Sequence, residues 1–307
     1  MFSCTADPVK DSGEEERCLK KKLLSILIAL VLILALAVPA FAADEGCVVL
    51  GADLSEEQIE TVYQLFGFKR GSVTELTVTN AEERSTLEGL VEDSVIGTYA
   101  ISCVYVRLLE KGSGLSVETH NINWCTTEMY QNALVTAGIT DAKIIVAAPF
   151  EVSGTAALTG IYKAYEHLTG RTLDEDAKSA GTRELTITGK LAEQIGGFDA
   201  SGIISGLKEK IGETAKMSDE ELREEIVRVA GSFGVTLNDS QIRQLIDLFR
   251  SMEKLNPDEL NERIEQAKET IERIGEAKDK AVGIYERLKS FLAPLSDFFE
   301  GLKELFG

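Results

Sequence analysis

The chain has 307 residues, 44% of them hydrophobic, which is enough for one large core or two ordinary ones and too apolar for disorder over most of its length. Its formal net charge of −19 repels phosphate backbones and anionic lipid headgroups, so no nucleic acid is expected as a partner.

Residues 1–18 are acidic and aperiodic, and read as an untranslated or non-structural extension with Leu19 as the alternative initiator. Lys20, Lys21 and Lys22 form a basic n-region, and Leu23–Val38 is an apolar run of about 16 residues, shorter than the ~20 that span a bilayer. Ala40-Phe41-Ala42 is a small-x-small cleavage site. Residues 19–42 are therefore predicted to be a signal peptide that meets the membrane only transiently. The product is a secreted or cell-envelope protein beginning near Ala43, with an N-terminally membrane-anchored chain as the alternative. Cys47, Cys103 and Cys125 then remain, an odd number without metal-ligand spacing. One disulfide among them is open, and otherwise they are small buried hydrophobes.

Ser55-x-x-Gln58 is a capping box ahead of Ile59, Val62, Tyr63 and Phe66 at helical spacing, with Gly67 as the stop. Ser72–Thr79 alternates and predicts a strand, and Asn80-x-x-Glu83 is read as the cap of a short helix up to about Leu90. Tyr99–Leu109 is apolar on both faces, the mark of an interior strand. Lys111-Gly112-Ser113-Gly114 has hairpin-turn chemistry, so the alternating Leu115–His120 is expected as its return strand. A helix follows from Thr126 to Gly138, then a continuous apolar run, Lys143–Pro149, expected to be a buried parallel strand. Ser153–Leu168 is predicted helical, and so is Glu184–Ile195, although the β-branched Thr186-Ile187-Thr188 weakens that reading.

Beyond Gly196-Gly197 no strand signal remains. Ser218-x-x-Glu221 and Asn238-x-x-Gln241 cap two helices, and Asn256-Pro257 opens a third whose apolar stripe runs from Leu260 to Phe291 at spacings of three and four. The fold class expected is α+β: a mixed α/β domain over 43–197 with a small sheet and one βαβ-like unit, then an all-helical domain over 198–307. The stripe and the aromatic tail Leu295–Phe306 predict a protein partner or self-association through the C-terminal helices. A faint echo relates Gly51–Phe66 to Gly234–Phe249, read as two similar capped amphipathic helices.

No phosphate-loop, dinucleotide or zinc-protease pattern occurs, so no catalytic residue, cofactor or metal is assigned. His120 and Cys125 have the residue types of a thiol nucleophile and its base, but their opposite parity in an extended segment places them on opposite faces. Ser205-x-x-Lys208 has the spelling of an acyl-serine pair without its companion motifs. The candidate ligand site is instead a cleft. If the strand ending near Trp124 and the strand Lys143–Pro149 are parallel, the loops leaving them face one another at one sheet edge, where open sheets bind ligands. That gathers His120, Asn121, Asn123, Thr126 and Thr127 from one loop, and Ser153, Gly154 and Thr155 from the other. Both loops lead into helices whose first N–H groups favour a small anion such as a carboxylate.

The segments GADLSEEQ, VTNAEER, SGLSVETHNINW, EMYQNALVTAGITDAK and VAAPFEVSGTAALTGIYKAYE together resemble the YpuA-like family of exported Gram-positive proteins, a domain of unknown function. The resemblance covers nearly all of the chain after the signal segment. It implies a secreted or envelope-facing protein, without catalytic residues or cofactors to carry over; the function expected is non-enzymatic binding or scaffolding at the cell envelope. An envelope hydrolase or small-anion-binding enzyme acting in the cleft is the alternative.

Overall fold

A computed structural model describes residues 46–256 and 258–268. The predicted signal segment 19–42, the stripe beyond Lys268 and the aromatic tail lie outside those residues.

Five strands form one mixed sheet: β1 (Cys47–Gly51), β2 (Thr74–Val78), β3 (Cys103–Leu108), β4 (Leu115–Ile122) and β5 (Ala142–Val152), in the order β2-β1-β3-β5-β4. β1 and β2 are parallel, as are β4 and β5, while β3 in the middle is antiparallel to both neighbours. There are thus two βαβ units where the sequence pattern indicated one. The first carries α1 (Glu56–Phe66) between β1 and β2, and the second carries the helix Thr127–Ala137 between β4 and β5. Numbered in chain order, α2 is Asn80–Leu87, α3 Asp93–Ile96, α4 Thr127–Ala137 and α5 Thr155–Thr169.

The turn at Lys111–Gly114 reverses the chain, but β3 and β4 do not form the expected hairpin, because β5 lies between them. The physical reason is burial. Ala142 and Ile144 to Ala148 are buried on both faces, which suits a central position, whereas β4 alternates buried Leu115 and Val117 with exposed Ser116 and Glu118, which suits an edge.

α1 covers one face, where Ile59, Val62, Tyr63 and Phe66 pack on Val48, Cys103, Tyr105 and Ile145. α4 and α5 cover the other, α4 beside β4 and α5 across β3 and β1. The chain continues as α6 (Glu175–Ile195), α7 (Gly197–Lys208), α8 (Ile211–Thr214), α9 (Asp219–Ser232) and α10 (Asp239–Met252). α6 is 21 residues long and runs straight through Thr186-Ile187-Thr188. The hydroxyls of Thr182, Thr186 and Thr188 donate back to the carbonyls of Lys178, Arg183 and Glu184, so these threonines are buried without an unpaired group. Packing against α4 overrides their weak helix propensity. At the corner, Gly196 has φ 94°, a backbone that a residue with a Cβ adopts only under strain.

The core does not stop at this corner. Ile203, Ile204 and Leu207 of α7 share one apolar cluster with Ala133 and Leu134 of α4 and with Leu245 and Phe249 of α10. Residues 258–268 are helical, and Leu260 and Ile264 belong to the same cluster. The described part of the C-terminal stripe is therefore buried within its own chain. The similar segments Gly51–Phe66 and Gly234–Phe249 share only their capped helices: α1 and α10 have the same capping box, but only the first follows a strand.

Candidate functional site

β4 and β5 are parallel, so their carboxyl ends lie at one edge of the sheet. From that edge α4 turns over β4 while α5 turns the other way over β3 and β1, and a crevice opens where the two helices diverge. It holds a cleft of about 500 Å³. Asn123 and Trp124 after β4 form one wall, and Val152 to Ala156 after β5 form the second. A third wall, which strand and helix patterns did not indicate, consists of residues 94–102 with Glu83 of α2.

Of the eight residues singled out from sequence, four line the cleft: Asn123, Ser153, Gly154 and Thr155. The other four do not. His120 Nε2 lies 3.0 Å from a Glu118 carboxylate oxygen on β4. Asn121 has φ 59° and its side-chain amide donates to the Ala148 carbonyl at 2.7 Å, closing the irregularity where β5 bulges past β4. Thr126 caps α4, its hydroxyl accepting from the Met129 N–H at 3.3 Å, and the Thr127 hydroxyl lies 3.4 Å from that of Thr119. Cys125 is buried, and burial pushes its thiol up to about 12, so it is held as the neutral thiol. Cys47 and Cys103 are also buried and free, which leaves no disulfide among the three.

Glu83 is the residue the sequence reading misplaced. The true capping box is one residue earlier: Thr79 accepts from the Glu82 N–H, and the Glu82 carboxylate accepts from the Thr79 N–H at 2.8 Å. Lys163 of α5 fixes that register by donating to Glu82 at 2.6 Å and to the Thr77 carbonyl at 2.7 Å. Glu83 is thereby released from capping and turned inward, where it is 1% exposed. Its carboxylate accepts from the Thr155 hydroxyl at 2.7 Å and from the Asn80 amide at 3.2 Å. Burial raises its pKa, opposed by these two hydrogen bonds. Thr79-Asn80 offers two candidate caps in tandem, each followed by a Glu three residues on, and local sequence does not choose between them.

The walls are held by the chain's own polar groups. Arg84 donates to Asp93 at 2.8 Å and to the Gly97 carbonyl at 2.7 Å, which ties the third wall to α2. The Ala157 N–H in the first turn of α5 donates to Ser102 Oγ at 3.0 Å. Ser153 and Thr155 hydroxyls lie 3.1 Å apart. Gly154 has φ 92°, and a Cβ there would sit 2.6 Å from both Ile122 Cγ2 and the Tyr130 hydroxyl, so this turn requires glycine. Trp124 donates its indole N–H to Glu193 of α6 at 2.7 Å, and its ring lies against Gly189, where a Cβ would come within 2.3 Å.

Ser205 and Lys208 are not a catalytic pair. Ser205 Oγ donates to the Asn132 side-chain oxygen at 3.1 Å. Lys208 is buried and donates to Glu184 at 2.9 Å and to the Asn132 carbonyl at 2.8 Å, joining α7 to α6 and α4.

Among the described residues, no helix is long and apolar enough to cross a membrane. Residues 50–272 match the model of a family described as "Protein of unknown function (DUF1002)". A relative from Bacillus subtilis (strain 168), "Uncharacterized protein YpuA", is 37% identical over 287 residues, covering 92% of this chain and 96% of its own length. No solved structure matches. A family match of that span and a relative of that identity place this chain in the DUF1002 family, the YpuA-like proteins.

Proposed function

We propose that the protein is an exported, non-enzymatic binding protein whose ligand site is the cleft at the carboxyl edge of β4 and β5. One observation carries the reading: the divergence of α4 and α5 opens a cleft of about 500 Å³, within the ~300–1,000 Å³ of small-ligand sites, with Asn123, Ser153 and Thr155 in its walls. Binding is favoured over hydrolysis by the chemistry of those walls. Glycoside or acyl hydrolysis needs a second carboxyl or a nucleophile with its base. Among the described lining residues Glu83 is the sole carboxyl, and the Thr155 hydroxyl that donates to it at 2.7 Å is buried along with it, both 1% exposed, out of reach of a substrate bond. Export is supported by the basic n-region, the apolar run Leu23–Val38 and the small-x-small site ahead of Ala43.

Trp124 is the only tryptophan in the chain, so its indole N–H is a single resonance at the cleft wall. A screen of chemically diverse small fragments by NMR should perturb that resonance with at least one fragment class. A screen in which no fragment moves it would overturn the cleft as a ligand site.

A further inference from the structure

We infer that the ligand is a neutral polyhydroxylated molecule of carbohydrate type, one or two sugar rings in size, bound between Trp124, Tyr99 and the hydroxyl-bearing turn Ser153–Thr155. This rests on the reading of the cleft as a binding site and narrows it to a ligand class.

An anion, the ligand that two converging helix starts suggested from sequence, meets the wrong chemistry. No Lys or Arg is among the described lining residues. The anion-favouring first turn of α5 already has a carboxyl beside it, because Thr155 donates to Glu83 at 2.7 Å and the Ala157 N–H is taken by Ser102. A bound carboxylate or phosphate would find no counter-charge in these walls, and desolvating an unpaired anion is costly.

A purely aliphatic ligand fits no better. It would strip water from Asn123, Ser94, Thr98 and Ser153 without replacing the lost hydrogen bonds, and each unpaired polar group costs about 1–3 kcal/mol. A sugar hydroxyl both donates and accepts, as do the Ser and Thr hydroxyls and the Asn amide of these walls. The remaining surface of a sugar ring is C–H, which packs on aromatic faces. Tyr99, 67% exposed, and the half-buried Trp124 both line the cleft, and large aromatic side chains at such rims supply apolar contact with a polar tip.

The test is a titration of the purified protein, with Trp124 emission as the reporter. The probes are neutral disaccharides (cellobiose, maltose, lactose and the N-acetylglucosamine dimer), with glucuronate, citrate and inorganic phosphate as anions. At least one neutral disaccharide should give a saturable change in emission. The single variants Tyr99→Ala and Asn123→Ala, both at exposed positions, should each weaken it at least fivefold with an unchanged melting temperature. A response to an anion with none to any neutral sugar would overturn the ligand class while leaving the cleft as a binding site. A sugar response that both variants retain at full strength would place the sugar elsewhere and also overturn the inference. If neither sugars nor anions respond and the fragment screen moves nothing, the cleft itself fails.

Discussion

Glu83 shows how one side chain can be set by its surroundings more than by its neighbours in sequence. Burial raises its pKa, so the folded state holds the proton more tightly than the unfolded chain. The contribution of that group to stability is fully present below the unfolded carboxylate range, and it is lost as pH rises through the raised folded value. Glu83→Gln keeps an acceptor for Thr155 and removes the charge. The melting temperature of this variant relative to the wild type should therefore rise between pH 4 and pH 7, and a difference that stays flat across that range would contradict a buried, proton-holding carboxyl. Gly154 makes the second prediction at this scale. With φ 92° and no room for a Cβ, Gly154→Ala should cost about 2 kcal/mol or more in chemical denaturation, combining backbone strain and overpacking. The capping box at Thr79 was legible in kind but not in register, because Thr79 and Asn80 are both good caps. Lys163, distant in sequence, decided between them.

Among the elements, α6 and α7 depend most on partners from elsewhere in the chain. Glu184 and Lys208 are both buried and bonded to each other, and Thr136 of α4 donates to Glu184. Breaking such a pair leaves an unpaired buried charge, so Lys208→Ala should destabilise the protein by about 3–5 kcal/mol. A double change to Glu184→Leu and Lys208→Met should recover much of that loss, because it removes both charges together. Thermal unfolding of the three proteins measures both effects, and equal losses for the single and double variants would show that packing, not the ion pair, is responsible. Helix identity was mostly legible here: Ser55, Ser218 and Asn238 all cap as their spacing implied. The full extent of α6 was not, since its threonines favour strands in isolation and only burial against α4 makes them helical.

At the scale of the molecule, processing and self-association each carry a prediction. If residues 19–42 act as a signal peptide, mass spectrometry of culture and envelope fractions should find chains that begin near Ala43. Intact chains that all retain Leu23–Val38 would favour a membrane anchor instead. The first positions of the C-terminal stripe, Leu260 and Ile264, are buried in the chain's own core. Self-association through this stripe would therefore use positions beyond Lys268, and substitution of Leu288 and Phe291 by Glu should then reduce the mass seen in light scattering. If the purified wild type is already a monomer, the stripe serves its own chain.

Amphipathic period, capping pairs and the two-sided apolar runs determine the elements, because these are local and repeat within a few residues. They sufficed for an α+β fold, for the parallel relation of β4 and β5, and for two of the three cleft walls. Tertiary structure alone decided the order of the strands, since a turn specifies that the chain reverses and not which strand will lie beside it. β5, buried on both faces through residues 144–148, took the interior place between β3 and β4 and left β4 at the edge. Tertiary structure also brought Glu83 and residues 94–102 to the cleft. Glu83 and Thr155 are 72 positions apart, and their meeting depends on α2 packing against α5, a contact that no local pattern records.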